Sequence, residues 1–202
     1  MMKIARTLML GVAAAGLMIS GAQAADPVLL PADPVMIYDD IAFSFEGFYI
    51  GVQGGGFFTD NFGDFDHTAG LIGIVAGANF LVSDAILAGL EFQGDVYFGG
   101  NTASSSGFSA ADALILGRVG ALVTDEVLIY AAAGVGLIGG TGFAPASETG
   151  AYYAIGGGAE VAVTDNLGIR GEVLYKHLFN NTTTGIDGSG VQATLGLLWH
   201  LN

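Results

Sequence analysis

From Glu46 to the C-terminus, apolar and polar side chains alternate with a period of two in eight runs, at about 46–58, 70–81, 85–98, 109–123, 127–138, 151–163, 167–179 and 190–201. Successive side chains of a strand point to opposite faces, so this period predicts strands that separate two environments. In 85–98, Glu91, Gln93 and Asp95 share one parity while Ile86, Leu90, Phe92 and Val96 share the other. Asp112 and Arg118 oppose Ile115, Val119 and Val123; Glu160 opposes Ile155, Val161 and Val163. Arg170, Glu172 and Lys176 oppose Ile169, Val173 and Tyr175, and Gln192, Thr194 and His200 oppose Val191, Leu195, Leu197, Trp199 and Leu201. No mid-strand charge falls on the apolar face.

The connections alternate in length. Val82-Ser83-Asp84, Val123-Thr124-Asp125 and Val163-Thr164-Asp165 repeat one tight turn, each followed by an apolar run. The stretches 59–69, 99–108, 139–150 and 180–189 are long and predict loops. Short turns at one end and long loops at the other are the mark of an all-β, eight-stranded antiparallel up-and-down transmembrane β-barrel over 46–202. An even strand count puts both ends of that domain on the short-turn side. A strand of ~11 residues rising ~3.3 Å each and tilted ~40° covers ~28 Å, enough for an apolar band of ~25 Å.

Which face points inward is settled by composition. Only 12% of residues are charged while 52% are apolar and 34 are Gly, half the charge expected of a soluble domain. A soluble lipocalin-like barrel would alternate in the same way with its apolar face inside. Here the polar face reads as Gly, Ala and a few charges, too sparse to solvate an exterior. Aromatics fall at the ends of the apolar face, with Phe58, Phe98, Tyr153 and Phe179 towards the long loops and Phe48, Phe80 and Trp199 towards the short turns. Two such girdles are expected at the two membrane interfaces, so the apolar face is expected to meet lipid.

Residues 1–24 read as a cleaved secretory signal: Lys3 and Arg6, an apolar run from Leu8 to Ile19, then Ala22-Gln23-Ala24. Residues 25–45, with Pro27, Pro31 and Pro34 among acids, read as a periplasmic lead-in segment, either a plug or a free tether. Beyond the signal three Lys/Arg remain against 19 Asp/Glu, a formal charge of −16. Such a chain repels phosphate backbones, and nucleic acid is not an expected partner. Cys is absent, which excludes disulfides and thiol chemistry.

Two stretches carry a resemblance. Gly47-Phe48-Tyr49-Ile50-Gly51-Val52-Gln53-Gly54-Gly55-Gly56 and, far along, Glu160-Val161-Ala162-Val163-Thr164-Asp165-Asn166-Leu167-Gly168-Ile169-Arg170-Gly171-Glu172-Val173-Leu174-Tyr175 resemble the small "porin family" outer-membrane barrels of alphaproteobacteria, a group similar to the OmpA-type transmembrane domain and the opacity proteins. The resemblance covers about 25–202, and it implies a cell outer-membrane location in a Gram-negative envelope. It also implies outer-membrane lipid, lipopolysaccharide and the assembly machinery as partners. One departure is the C-terminus: the family usually closes on a terminal aromatic, and this chain ends Trp199-His200-Leu201-Asn202.

The candidate chemistry is a lumen ionic network of Glu91, Asp95, Asp112, Glu160 and Glu172 against Arg118, Arg170 and Lys176. Side chains nearly fill an eight-stranded interior, so these groups are expected to pair across it as a structural plug. The alternative is a narrow, cation-leaning passive channel, because the acids outnumber the bases. A lipid A-modifying enzyme lacks its His-x-Ser spacing: Thr68-Ala69 follows His67 and Leu178-Phe179 follows His177. His67 among Asp60, Asp64 and Asp66 reads as a solvated acidic loop ahead of a haem or metal site. Gly134-Val135-Gly136-Leu137-Ile138-Gly139 matches GxGxxG, but the fingerprint needs a helix next and Thr141-Gly142-Phe143-Ala144-Pro145 is a loop. The expectation is therefore a monomeric barrel without enzymatic activity, cofactor or metal, with a structural and surface-interaction role.

Overall fold

The computed structural model describes residues 43–62, 65–99, 108–140, 149–179 and 188–201. The described residues form eight strands: β1 (Gly47–Phe62), β2 (Phe65–Ser83), β3 (Ile86–Phe98), β4 (Phe108–Thr124), β5 (Val127–Gly140), β6 (Thr149–Ala162), β7 (Leu167–Leu178) and β8 (Gly188–His200). Each strand pairs antiparallel with its neighbour in sequence, and β1 pairs with β8 to close the barrel. Closure leaves no sheet edge, so the backbone groups of the strands are satisfied within the ladder where lipid offers no partner. The signal segment, the lead-in as far as residue 42 and most of the long connections lie outside the described residues.

The repeated Thr-Asp turns have a local cause. Thr124 Oγ1 accepts a hydrogen bond from the Glu126 N–H at 3.3 Å, and Thr164 Oγ1 accepts from the Leu167 N–H at 3.1 Å. A hydroxyl that reaches its own backbone two or three residues on stabilises a tight reversal. The first hairpin departs from expectation. Residues 59–69 do not form a long loop, because β1 and β2 stay paired out to Phe62 opposite Phe65, with a register irregularity after Thr59. Its residues favour strand: Thr59, Phe62, Phe65 and Thr68 are β-branched or aromatic, and Thr59 Oγ1 donates to the Ser189 carbonyl at 2.6 Å. His67 accordingly lies on β2, paired with Thr59, and not on a loop.

The side chains sort as the period-two pattern requires. Phe48, Ile74, Leu90 and Leu195 stand outward at 66%, 61%, 63% and 70% exposure. Large apolar side chains stand outward on all eight strands, a continuous belt of the kind that water-soluble monomers do not present, so it marks a lipid-facing surface. Gly134 to Gly139 lie within β5 and no helix follows them in the described residues. The inward face is bulkier than a Gly/Ala lining: it also holds Tyr49, Tyr97, Tyr130, Tyr152 and Phe57, with Leu87, Leu114, Leu116, Leu128 and Leu198. Small residues are present because the large ones need room. Tyr49, Tyr130 and Tyr152 each sit directly across a ladder from a glycine, Gly77, Gly158 and Gly136. A methyl placed on Gly77 would lie 2.3 Å from Tyr49 Oη, so the small side chain and the large one form a single fit.

Candidate functional site

All eight residues of the expected ionic network are buried inside the barrel: Glu91, Asp95, Asp112, Arg118, Glu160, Arg170, Glu172 and Lys176. They come from β3, β4, β6 and β7, with inward parity on each strand. They do not form one cluster of ion pairs, because two carboxylates act as hubs and neutral side chains join them.

The hub nearer the short turns is Glu91. Its Oε2 receives Arg170 Nη1 at 2.6 Å and Arg118 Nη1 at 2.9 Å, together with the Tyr49 hydroxyl, while Gln93 Nε2 donates to Oε1 at 2.7 Å. Four donors, two of them charged, saturate one carboxylate, which is what a buried charge requires. Arg118 stacks its guanidinium 4.0 Å from the Tyr130 ring centroid and keeps Glu160 at 3.6 Å. Glu160 Oε1 is 2.6 Å from His200 Nε2.

The hub nearer the long loops is Asp112. Its Oδ2 receives Lys176 Nζ at 2.6 Å, the Tyr152 hydroxyl at 2.6 Å and the Tyr97 hydroxyl at 2.8 Å. Lys176 Nζ also donates to Tyr97 Oη at 3.0 Å and lies 5.0 Å from the Tyr152 ring centroid.

Amides span the space between. Gln53 accepts from Arg170 Nη2 at 3.0 Å and donates to Asp95 Oδ1 at 2.8 Å. Gln192 Nε2 donates to Asp95 Oδ2 at 3.1 Å, and Gln192 Oε1 lies 3.1 Å from the Tyr97 hydroxyl, whose one proton is turned to Asp112 at the shorter distance. Glu172 is held by Gln93 Nε2 and by the Tyr130 hydroxyl, each at 2.7 Å. Not every lumen acid has a cation beside it: the donors within hydrogen-bond reach of Asp95 and Glu172 are neutral.

Gln53, Tyr49, Tyr97, Tyr130 and Tyr152 are network members beyond the charged set. Parity alone identifies them, since Tyr97 shares the phase of Glu91 and Asp95, and Tyr152 that of Glu160. The expected girdle residues Phe48, Phe58, Phe80, Phe98, Tyr153, Phe179 and Trp199 all stand outward, from 36% exposed at Tyr153 to 66% at Phe48. His177 stands beside them, with its ring 5.3 Å from that of Tyr153. No group of three or more His, Cys, Asp or Glu among the described residues could hold a metal ion.

The comparisons with known proteins agree with this architecture. The sequence profile of the outer membrane protein beta-barrel domain matches residues 11–197. The 31 kDa outer-membrane immunogenic proteins of Brucella melitensis and Brucella suis are each 27% identical to the chain over 217 residues, covering 89% of this chain and 90% of the relative. Among solved structures, Neisserial surface protein A is similar with a TM-score of 0.50 at 15% identity, covering 77% of this chain and 98% of that one. The Yersinia pestis attachment invasion locus protein Ail gives 0.48 at 14% identity, covering 77% and 100%. The chain is therefore a member of the outer membrane protein beta-barrel domain family and resides in the outer membrane.

Proposed function

We propose that this barrel conducts no ions, that its lumen network is a structural plug, and that its work is done by the long loops at the cell surface. The observation that carries the reading is the convergence of four donors on the Glu91 carboxylate and of three on Asp112 Oδ2, reaching in from several walls. Hubs of this kind cross-link the barrel interior, and an ion moving through would have to break charge-assisted hydrogen bonds in a low-dielectric space. The name of the Brucella relatives, outer-membrane immunogenic protein, supports loops that are accessible from outside the cell. The aromatic girdles and apolar belt suit a monomer in contact with lipid and lipopolysaccharide, delivered by the outer-membrane assembly machinery, and no step of this reading involves catalysis.

Reconstitution into planar bilayers tests it. Purified protein should give no steady open conductance, while its long loops should be labelled by membrane-impermeant reagents on intact cells. Large, stable, cation-selective steps would overturn the plug. That second reading, a narrow cation path, is favoured by one observation only: five lumen carboxylates face three Lys/Arg among the described residues.

A further inference from the structure

The chain ahead of β1 folds into the barrel mouth on the short-turn side. We propose that residues 43–46 are a stopper that shields the buried Glu160–His200 pair from the periplasm. Gly47, the first residue of β1, has φ of 105°, a left-handed conformation that glycine adopts without a Cβ clash. The chain bends at Phe45 and Glu46 just ahead of it, and Phe45 packs into the buried cluster of the lumen, where it is 3% exposed. The Phe45 carbonyl accepts a 2.9 Å hydrogen bond from Asn79 Nδ2, and Asn79 is itself fully buried on β2. The Phe43 ring packs edge-on at 4.7 Å from Phe45 and at 4.7 Å from His200. Outside the rings, Glu46 N–H donates to Ser44 Oγ at 3.2 Å, which keeps the segment in a tight bend.

The ion cluster beneath explains why such a cover is useful. His200 is 0% exposed although it is the penultimate described residue of the barrel and sits at a strand end. Strand ends at a barrel mouth are normally wet. Here the Tyr49 ring covers the imidazole at 5.4 Å from within and Phe43 and Phe45 cover it from below. The two phenyl rings are the contacts His200 makes with the segment ahead of β1, so their loss is expected to admit water to His200 and to the Glu160 carboxylate behind it. The inference goes beyond the plug reading, because it concerns access at one mouth and holds whether or not ions cross the outer half.

Site-resolved acylation of His200 with diethyl pyrocarbonate, read by peptide mass spectrometry on the full chain in lipid vesicles, tests the stopper. In the wild type His200 should react far more slowly than in the denatured chain. In the Phe43→Ser/Phe45→Ser variant its rate should rise about tenfold or more, equivalent to ~1.4 kcal/mol less favourable closure. Asn79→Ala, which frees the Phe45 carbonyl and leaves both rings, should give a smaller rise. Heat-dependent gel mobility confirms that each variant is folded; if the double variant is not, Asn79→Ala carries the test alone. Equal His200 rates in the wild type and the folded variants, or a wild-type rate matching the denatured chain, would overturn the stopper. Conductance of the same wild-type preparation keeps the two proposals apart: a barrel that conducts while His200 stays protected defeats the plug and not the stopper.

Discussion

Replacing Arg170 with Met keeps most of the aliphatic stem and deletes the guanidinium. Arg170 is 1% exposed, and its two terminal nitrogens serve Glu91 at 2.6 Å and Gln53 at 3.0 Å. Breaking a buried ion pair costs about 3–5 kcal/mol when the partner is left uncompensated. Glu91 would keep Arg118 at 2.9 Å, the Tyr49 hydroxyl and Gln93, so the loss should fall at the low end, about 3 kcal/mol. The chain has a single tryptophan, Trp199, placed outward in the lipid belt, and its fluorescence reports guanidinium unfolding from lipid vesicles without added probes. Arg170→Met, Glu91→Gln and the double variant complete a cycle. If the pair is coupled, the double variant should be more stable than the sum of the single effects predicts, by ~1 kcal/mol or more. The reasoning fails if Arg170→Met costs under ~0.5 kcal/mol or if the two changes add within ~0.3–0.5 kcal/mol.

Lys176→Met should cost more than Arg170→Met by the same measurement, because Asp112 would keep only phenolic donors and no second cation lies within 4 Å among the described residues. Gly77→Ala should destabilise by ~1–3 kcal/mol through overpacking against Tyr49, whereas Gly117→Ala, whose added methyl would meet only the Ala133 carbonyl at 3.8 Å, should change the unfolding midpoint little. Leu195→Arg places a cation on the lipid face near mid-strand and should cost ~2–4 kcal/mol of folding free energy in vesicles. A neutral result there would mean that the apolar face does not meet acyl chains.

The strand count, the antiparallel order and the face on which each charged or aromatic side chain stands were legible because each depends on parity and on turn spacing alone. Parity is a local property, and one strand reports it without reference to any other. What joins Glu91 to Arg118 and Arg170 is a different kind of information. It depends on the stagger of β3 against β4 and on which walls face each other across the lumen, and no single strand carries either. The first hairpin was misread for a related reason. Asp60, Asn61, Asp64 and Asp66 look like loop residues, yet the ladder resumes beyond an irregularity at Asp60 because β8 offers Ser189 to Asn61 and Gly188 to Phe62. The tyrosines share the parity of the acids, but their size makes sense inside only once the glycines across the ladder are seen to leave room.

The surplus of acids in the lumen is resolved by the direction of the amides. Five carboxylates and three permanent cations cannot all pair one to one, and an unpartnered buried carboxylate would be destabilising. Gln53 has its oxygen occupied by Arg170, so its NH₂ must face Asp95. Gln192 turns its NH₂ to the same acid and its oxygen towards the Tyr97 hydroxyl. Gln93 turns both of its donor hydrogens to carboxylates, one on Glu91 and one on Glu172. Each amide thus donates to an acid, and Gln53, which accepts from Arg170, also donates at 3.4 Å to the Gln93 oxygen, so the reach of that cation extends to carboxylates it does not touch. A Glu in place of any of the three would be isosteric and yet would replace a donor with another acceptor, so the neutral members fix the electrostatic balance as firmly as the charged ones.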